Sequence, residues 1–128
     1  MDNGIITRVS AYTVAETIDR LEAALQQHGI KIFARIDQQA EAVNAGLTLP
    51  PTQLLVFGSP QAGTPLMNSF PALALDLPLK ALAWEAEDRK AWLLTNSPQY
   101  LQERYDLPQP PFGAMEAVFD AAVAAPSP

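Results

Sequence analysis

Cysteine is absent from the 128 residues, which excludes disulfides, thiol catalysis and thiolate-held metal. Positive charge is scarce. Eight lysines and arginines stand against fourteen acids, a net charge of −6, at Arg8, Arg20, Lys31, Arg35, Lys80, Arg89, Lys90 and Arg104. A nucleic-acid footprint needs such residues clustered on one face, so no nucleic-acid partner is expected. The nearest thing to a cluster is Arg8, Lys31, Arg35 and Lys80, which all fall in strand candidates and could share one side of a sheet. No stretch approaches the ~18 apolar residues that span a bilayer. The N-terminus also lacks the basic segment and apolar run of a secretory signal. A cytoplasmic protein with no membrane association is expected. The single histidine, His28, precedes Gly29 at a helix end, where the macrodipole favours its cation; it reads as a surface cap.

What is present is a globular pattern. Hydrophobic residues make up 48% and charged residues 17%, enough for one domain over residues 1–128 with a continuous core. Strand and helix signals alternate. Ile5–Ala11 reads as a strand. Thr13 and Glu16 form a capping box, followed by Val14, Ile18, Leu21 and Leu25 on one helical stripe that Gly29 closes. In the 30–36 segment Ile30, Ile32, Ala34 and Ile36 alternate with Lys31, Phe33 and Arg35, the mark of a half-buried strand. Asp37 caps a helix over 38–45, and Gly46 ends it. Lys90–Thr95 returns from a charged turn as a hairpin partner. Ser97-Pro98 opens a further helix, Leu107–Pro111 is a rigid connector, and a last helix spans 112–124. Residues 125–128 read as a frayed tail. The expected fold is α+β, a mixed sheet of about five strands against helices. If the first two strands are parallel neighbours, their crossover is right-handed.

The richest stretch runs from Leu54 to Trp84. Leu54, Leu55, Val56 and Phe57 form the apolar run of a strand buried on both faces. Gly58, Ser59 and Pro60 turn the chain. Thr64 and Pro65 read as a helix start, with a hydroxyl cap and a proline in the first turn. Leu66, Met67 and Phe70 supply its apolar side, and Pro71 ends it. A second apolar strand follows over 79–86. The glycines are too few for a phosphate loop, and no GK[ST] follows.

Several of these segments together resemble the bacterial domain of unknown function 302 family. The matching segments are AETIDRLEAALQQHGIKIFARID (15–37), AGLTLPPTQLLVFGSPQAGTPLM (45–67), ALDLPLKALAW (74–84) and NSPQYLQERYDL (96–107). The resemblance covers residues 15–107. It implies a compact, homodimeric α+β domain and no assigned reaction. Where the family often has His after Ile-Asp this chain has Gln38, and where it often has Asn in the Phe-Gly-x-Pro turn this chain has Ser59.

Candidate chemistry is sparse. The residue types point first to a non-catalytic module, a homodimer that binds a small-molecule ligand or another protein. Its site would comprise Asp37, Phe57, Gly58, Ser59, Thr64 and Met67. The Gly58 turn would let a ligand approach the backbone, and Asp37 and Thr64 would give polar contacts. The alternative is an enzyme using Asp37, Asp76 and Lys80 as acid, base and cation, with a carboxylate of raised pKa. No cofactor or metal is expected; the acidic 85–88 tip reads as a solvated turn. Trp84 and Trp92 fall on the two hairpin strands, suited to core or interface.

Overall fold

A computed structural model describes residues 3–126 as a five-stranded sheet with helices, two of which pack on one face to form the core. The strands are β1 (Ile5–Ser10), β2 (Lys31–Asp37), β3 (Thr52–Gly58), β4 (Leu79–Glu85) and β5 (Ala91–Asn96). The helices are α1 (Val14–Gln27), α2 (Gln38–Asn44), α3 (Pro60–Ser69), α4 (Pro98–Tyr105) and α5 (Met115–Val123), with a 3-10 turn at Pro71–Asp76. The sheet order is β1-β5-β4-β3-β2, and every neighbouring pair is antiparallel, so the five strands are as expected but the sheet is not mixed. β1 and β2 run in the same direction but lie at opposite edges, so they are not parallel neighbours. α1 instead crosses the width of the sheet. The tail at 125–128 lies partly outside the described residues.

Local chemistry sets the element ends. At α1 the Thr13 hydroxyl accepts from the Glu16 amide at 3.1 Å, and the Glu16 carboxylate accepts from the Thr13 amide at 3.3 Å. At its other end Gly29 takes φ 73°. The Ile30 and Gly29 amides donate back to the carbonyls of Leu25 and Gln26, the paired bonds of a Schellman cap. The His28 ring nitrogen Nδ1 sits 2.8 Å from the Ala24 carbonyl, on the surface. α2 ends the same way through Gly46 and Leu47.

The helix-covered face carries the core. Leu55, Phe57, Ala81, Ala83, Ala91 and Leu93 pack beneath Val14, Ile18, Leu21 and Leu25 of α1 and Val118, Phe119 and Ala122 of α5. Polar groups on this side are satisfied. The Ser10 and Thr17 hydroxyls meet at 2.6 Å, buried. Arg8 donates to Asp120 at 2.7 Å and to Glu116 at 3.0 Å, with its guanidinium over the Phe119 ring. Burial works against its charge, but those hydrogen bonds outweigh burial and hold its pKa above the ordinary value. Arg35 binds Asp19 of α1. Arg8 and Arg35 are thus tied down under helices, while Lys31, paired with Gly58, and Lys80, paired with Val56, belong to the other face. The four strand cations are therefore split two and two between the faces and do not form one basic patch.

The opposite face is laid out by register. Val9, Trp92, Trp84 and Thr52 form one row across β1, β5, β4 and β3. Thr7, Leu94, Leu82, Leu54 and Ile36 form the next, and Ile5, Asn96, Lys80, Val56 and Ala34 the third. None of these side chains belongs to a buried core cluster. The expected alternation in β2 breaks at Phe33, where the register slips between Ile32 and Ala34. Ile32 therefore joins Phe57 on the covered side, while Ala34 and Ile36 fall on the bare side opposite Val56 and Leu54. A bulge inserts one residue and so reverses the faces beyond it.

Candidate functional site

β3 ends at Gly58, and the chain turns straight into α3. Ser59 caps that helix: its hydroxyl accepts from the Ala62 amide at 3.3 Å, and Pro60 takes the first helical position. The helix thus starts five residues before the Thr64-Pro65 start read from the sequence, and Pro65 lies inside it. Ser59-Pro60 carries the same cap-and-proline signal as Thr64-Pro65. The earlier pair prevails because it follows the strand directly. Residues 71–76, between α3 and β4, form the 3-10 turn.

α3, the end of β3, the start of β4 and the start of α5 line a half-open cavity of about 340 Å³. Its walls are Phe57, Gly58, Ser59, Pro60, Ala62, Gly63, Thr64 and Met67 from the β3–α3 corner, with Leu77, Pro78 and Leu79 beside them. Ile30 and Phe33 stand on one flank and Phe112, Ala114 and Met115 on the other. Phe33 is 47% exposed, which places it at the mouth. None of the sixteen lining residues is ionisable. Polar side chains are limited to Ser59, whose hydroxyl is committed to the helix start, and Thr64. Glycine is not required at the corner by conformation: Gly58 has no left-handed φ, and an added Cβ would meet Phe33 and Pro78 at an ordinary 3.7 Å.

Five of the six site residues read from the sequence therefore surround one space: Phe57, Gly58, Ser59, Thr64 and Met67. Asp37 does not join them. Lys31 pairs with Gly58 at the cavity end of β2, whereas Asp37 pairs with Gln53 at the far end, ~20 Å along the strand at about 3.4 Å per residue. Its carboxylate accepts from the Ala40 amide at 2.9 Å as the cap of α2. The residues that sequence reasoning missed, among them Phe112 and Met115, come from a segment some fifty positions away. Their only sequence signal was the apolar side of the last helix.

The polar groups proposed for acid–base chemistry do not converge. Asp76 accepts from Arg104 at 2.9 Å and from the Tyr105 hydroxyl. It stands at the end of the 3-10 turn and pairs with α4, while Lys80 is exposed on the bare sheet face. Burial first, and then the hydrogen bond to Asp76, raises the Tyr105 pKa above its ordinary value. Among the described residues no three histidines or carboxylates gather as a metal site. What this half-open pocket can do is shelter part of an apolar guest; it offers no charge to a polar one.

Comparison with known proteins adds the following. The family described as Domain of unknown function DUF302 matches residues 6–124. The crystal structure of an uncharacterized conserved protein DUF302 from Bacillus stearothermophilus superposes with a TM-score of 0.77 over 95% of this chain and 97% of that one, at 19% identity. Two curated relatives are each called fluoride-specific ion channel FluC 1. The chain is 47% identical over 107 residues to those of Brucella suis biovar 1 (strain 1330) and Brucella abortus biovar 1 (strain 9-941). The match covers 84% of this chain but 42% and 40% of those proteins, so the chain spans about two fifths of their length. Among the described residues no helix is long and apolar enough to cross a membrane.

Proposed function

The chain belongs to the domain of unknown function DUF302 family, and we propose that it is a non-catalytic module that binds a small, uncharged, largely apolar molecule. The reading takes residues 1–128 as one cytoplasmic domain acting as a homodimer. The observation that carries it is the cavity at the β3–α3 corner, lined by sixteen residues without one ionisable group. Binding pockets run from ~300 Å³ upward and are mostly apolar. At about 340 Å³ this one is roughly twice a cavity that holds benzene. Two fused rings or a medium alkyl chain fit that size, with Thr64 available to a single hydroxyl or carbonyl. Acid–base chemistry is the weaker alternative, since Asp37, Asp76 and Lys80 stand in three different places.

The test is thermal unfolding with indole, naphthalene and octanol as probes. A ligand at 100 times its Kd adds about 2.7 kcal/mol to stability. Ala62→Trp, placed on an exposed wall residue, should plug the cavity and abolish that rise, and Asp37→Ala should leave it unchanged. The absence of any stabilisation across the probes would sink the reading.

The two Brucella relatives support a second role. In proteins called fluoride channels, a region like this chain would be a domain appended to the part that conducts, and this chain would act beside such a channel. The cavity itself is the wrong host for fluoride, a small anion that needs positive charge or several donors. Fluoride should leave the melting temperature unchanged while apolar probes raise it.

A further inference from the structure

The cavity makes no use of the sheet face opposite α1 and α5. That face is largely apolar: of the fourteen residues in its three rows only Thr7, Thr52, Asn96 and Lys80 are polar, and Lys31 lies on the same side just beyond them. Leu94, Leu82 and Leu54 run through its middle, Trp84 and Trp92 pair on one side of them, and Val56 lies on the other. Trp84 is 39% exposed. Lys80 is the one charged side chain in its three rows, and no acid falls there. We infer that a second copy of the chain sits on this face, the two sheets packed face to face about a two-fold axis. The inference rests on the homodimer reading and adds the surface that makes it.

Size, charge and symmetry each support that occupant. Five strands ~4.8 Å apart and about six residues long give a footprint of roughly 480 Å² before side-chain relief is added. The largely apolar part of it falls within the ~300–600 Å² of the largest apolar patches on monomers. A stable interface covers about 800 Å² per partner, so the contact would take in the whole face and its margins. A chain with net charge −6 repels its own copy and an anionic membrane alike unless its acids stay clear of the contact. Here they do. The rows also select an orientation. With the axis along the strands, Lys80 on central β4 would face its own copy. With the axis across them, the row of Lys80 lies on the row of Trp84 and Trp92 of the other copy, where an ammonium is attracted by the aromatic faces. The second arrangement removes the like-charge contact.

Sedimentation velocity of the full chain at micromolar concentration tests this. A dimer is expected for the natural sequence. Leu94→Arg should raise its dissociation constant roughly 100-fold or more, because an unpaired charge would be buried. Trp84→Glu, on a side chain already exposed in the single chain, provides the same test if Leu94→Arg fails to fold; circular dichroism reports which variants are native. Both variants native and still dimeric would overturn this surface and leave the homodimer standing on another. A natural chain that sediments only as monomer would overturn both. A monomer that instead co-sediments with phosphatidylcholine vesicles would assign the face to lipid and equally overturn the inference.

Discussion

The two faces of the sheet are made from alternate residues of the same strands, yet each is apolar in its own way. On the covered face three of the central positions are alanines, Ala81, Ala83 and Ala91. The small side chains let α1 lie close, and the helix brings the bulk itself through Ile18, Leu21 and Leu25. On the bare face the strands carry the bulk: Leu54, Leu82, Leu94, Trp84 and Trp92. Large side chains standing off a sheet suit a second sheet ~10 Å away. Hydrophobicity alone does not distinguish the faces. Side-chain volume does, because it records which layer has to fill the gap.

The sharpest test sets Leu93 against Leu94, adjacent in the chain and on opposite faces. Leu93 is fully buried. Leu93→Ala should cost about 2–5 kcal/mol, through lost burial and a cavity that α1 and α5 cannot close. Urea unfolding should show this loss at every protein concentration. If Leu93→Ala costs no more than a surface change, the assignment of faces fails. Ala83→Leu examines the volume argument. Extra methylenes under α1 should cost about 1–3 kcal/mol by overpacking, whereas a neutral result would show room that the helix does not occupy. Leu94→Ala should cost about 1 kcal/mol or less in the single chain. Its larger mark should be a midpoint that depends less steeply on protein concentration than that of the natural protein.

Much of this division was legible in the sequence. The capping box at Thr13 and Glu16, the stripe Val14-Ile18-Leu21-Leu25 and the Leu54–Phe57 strand all rest on short-range rules that packing did not override. The cavity corner was legible for the same reason, since Phe57, Gly58, Ser59, Thr64 and Met67 lie within eleven positions. The bulge at Phe33 was not, because alternation in one strand says nothing of the register in the next. The start of α3 was misplaced because two Ser/Thr-Pro pairs stand five residues apart, and only the end of β3 chooses between them. Asp37 looked like a ligand because it ends a strand, a position that attracts ligands in parallel sheets. In an antiparallel sheet neighbouring strands end at opposite edges, which puts Asp37 and Gly58 at opposite ends of the same pair. The remaining cavity wall needed Phe112 and Met115 to be folded back beneath α3, and no local rule supplies that.

The smallest expected effect lies on the covered side, at Gly63. It is the fourth residue of α3 and buried, and an added Cβ would meet Met67 and Leu77 at 3.7 and 3.8 Å, ordinary contacts. Glycine in a helix interior costs about 0.5–1 kcal/mol relative to alanine, so Gly63→Ala should stabilise the chain by about that amount. The new methyl also enters the cavity, so the same variant should bind the largest apolar probe less well than the natural chain. Stability and binding would then move in opposite directions, a combination that damage to the fold cannot produce. Sedimentation should be unaffected, because Gly63 belongs to α3 and to none of the three rows of the bare face. If Gly63→Ala instead changed the association of the chain, the cavity and the bare face would be coupled, and their treatment as separate surfaces would have to be abandoned.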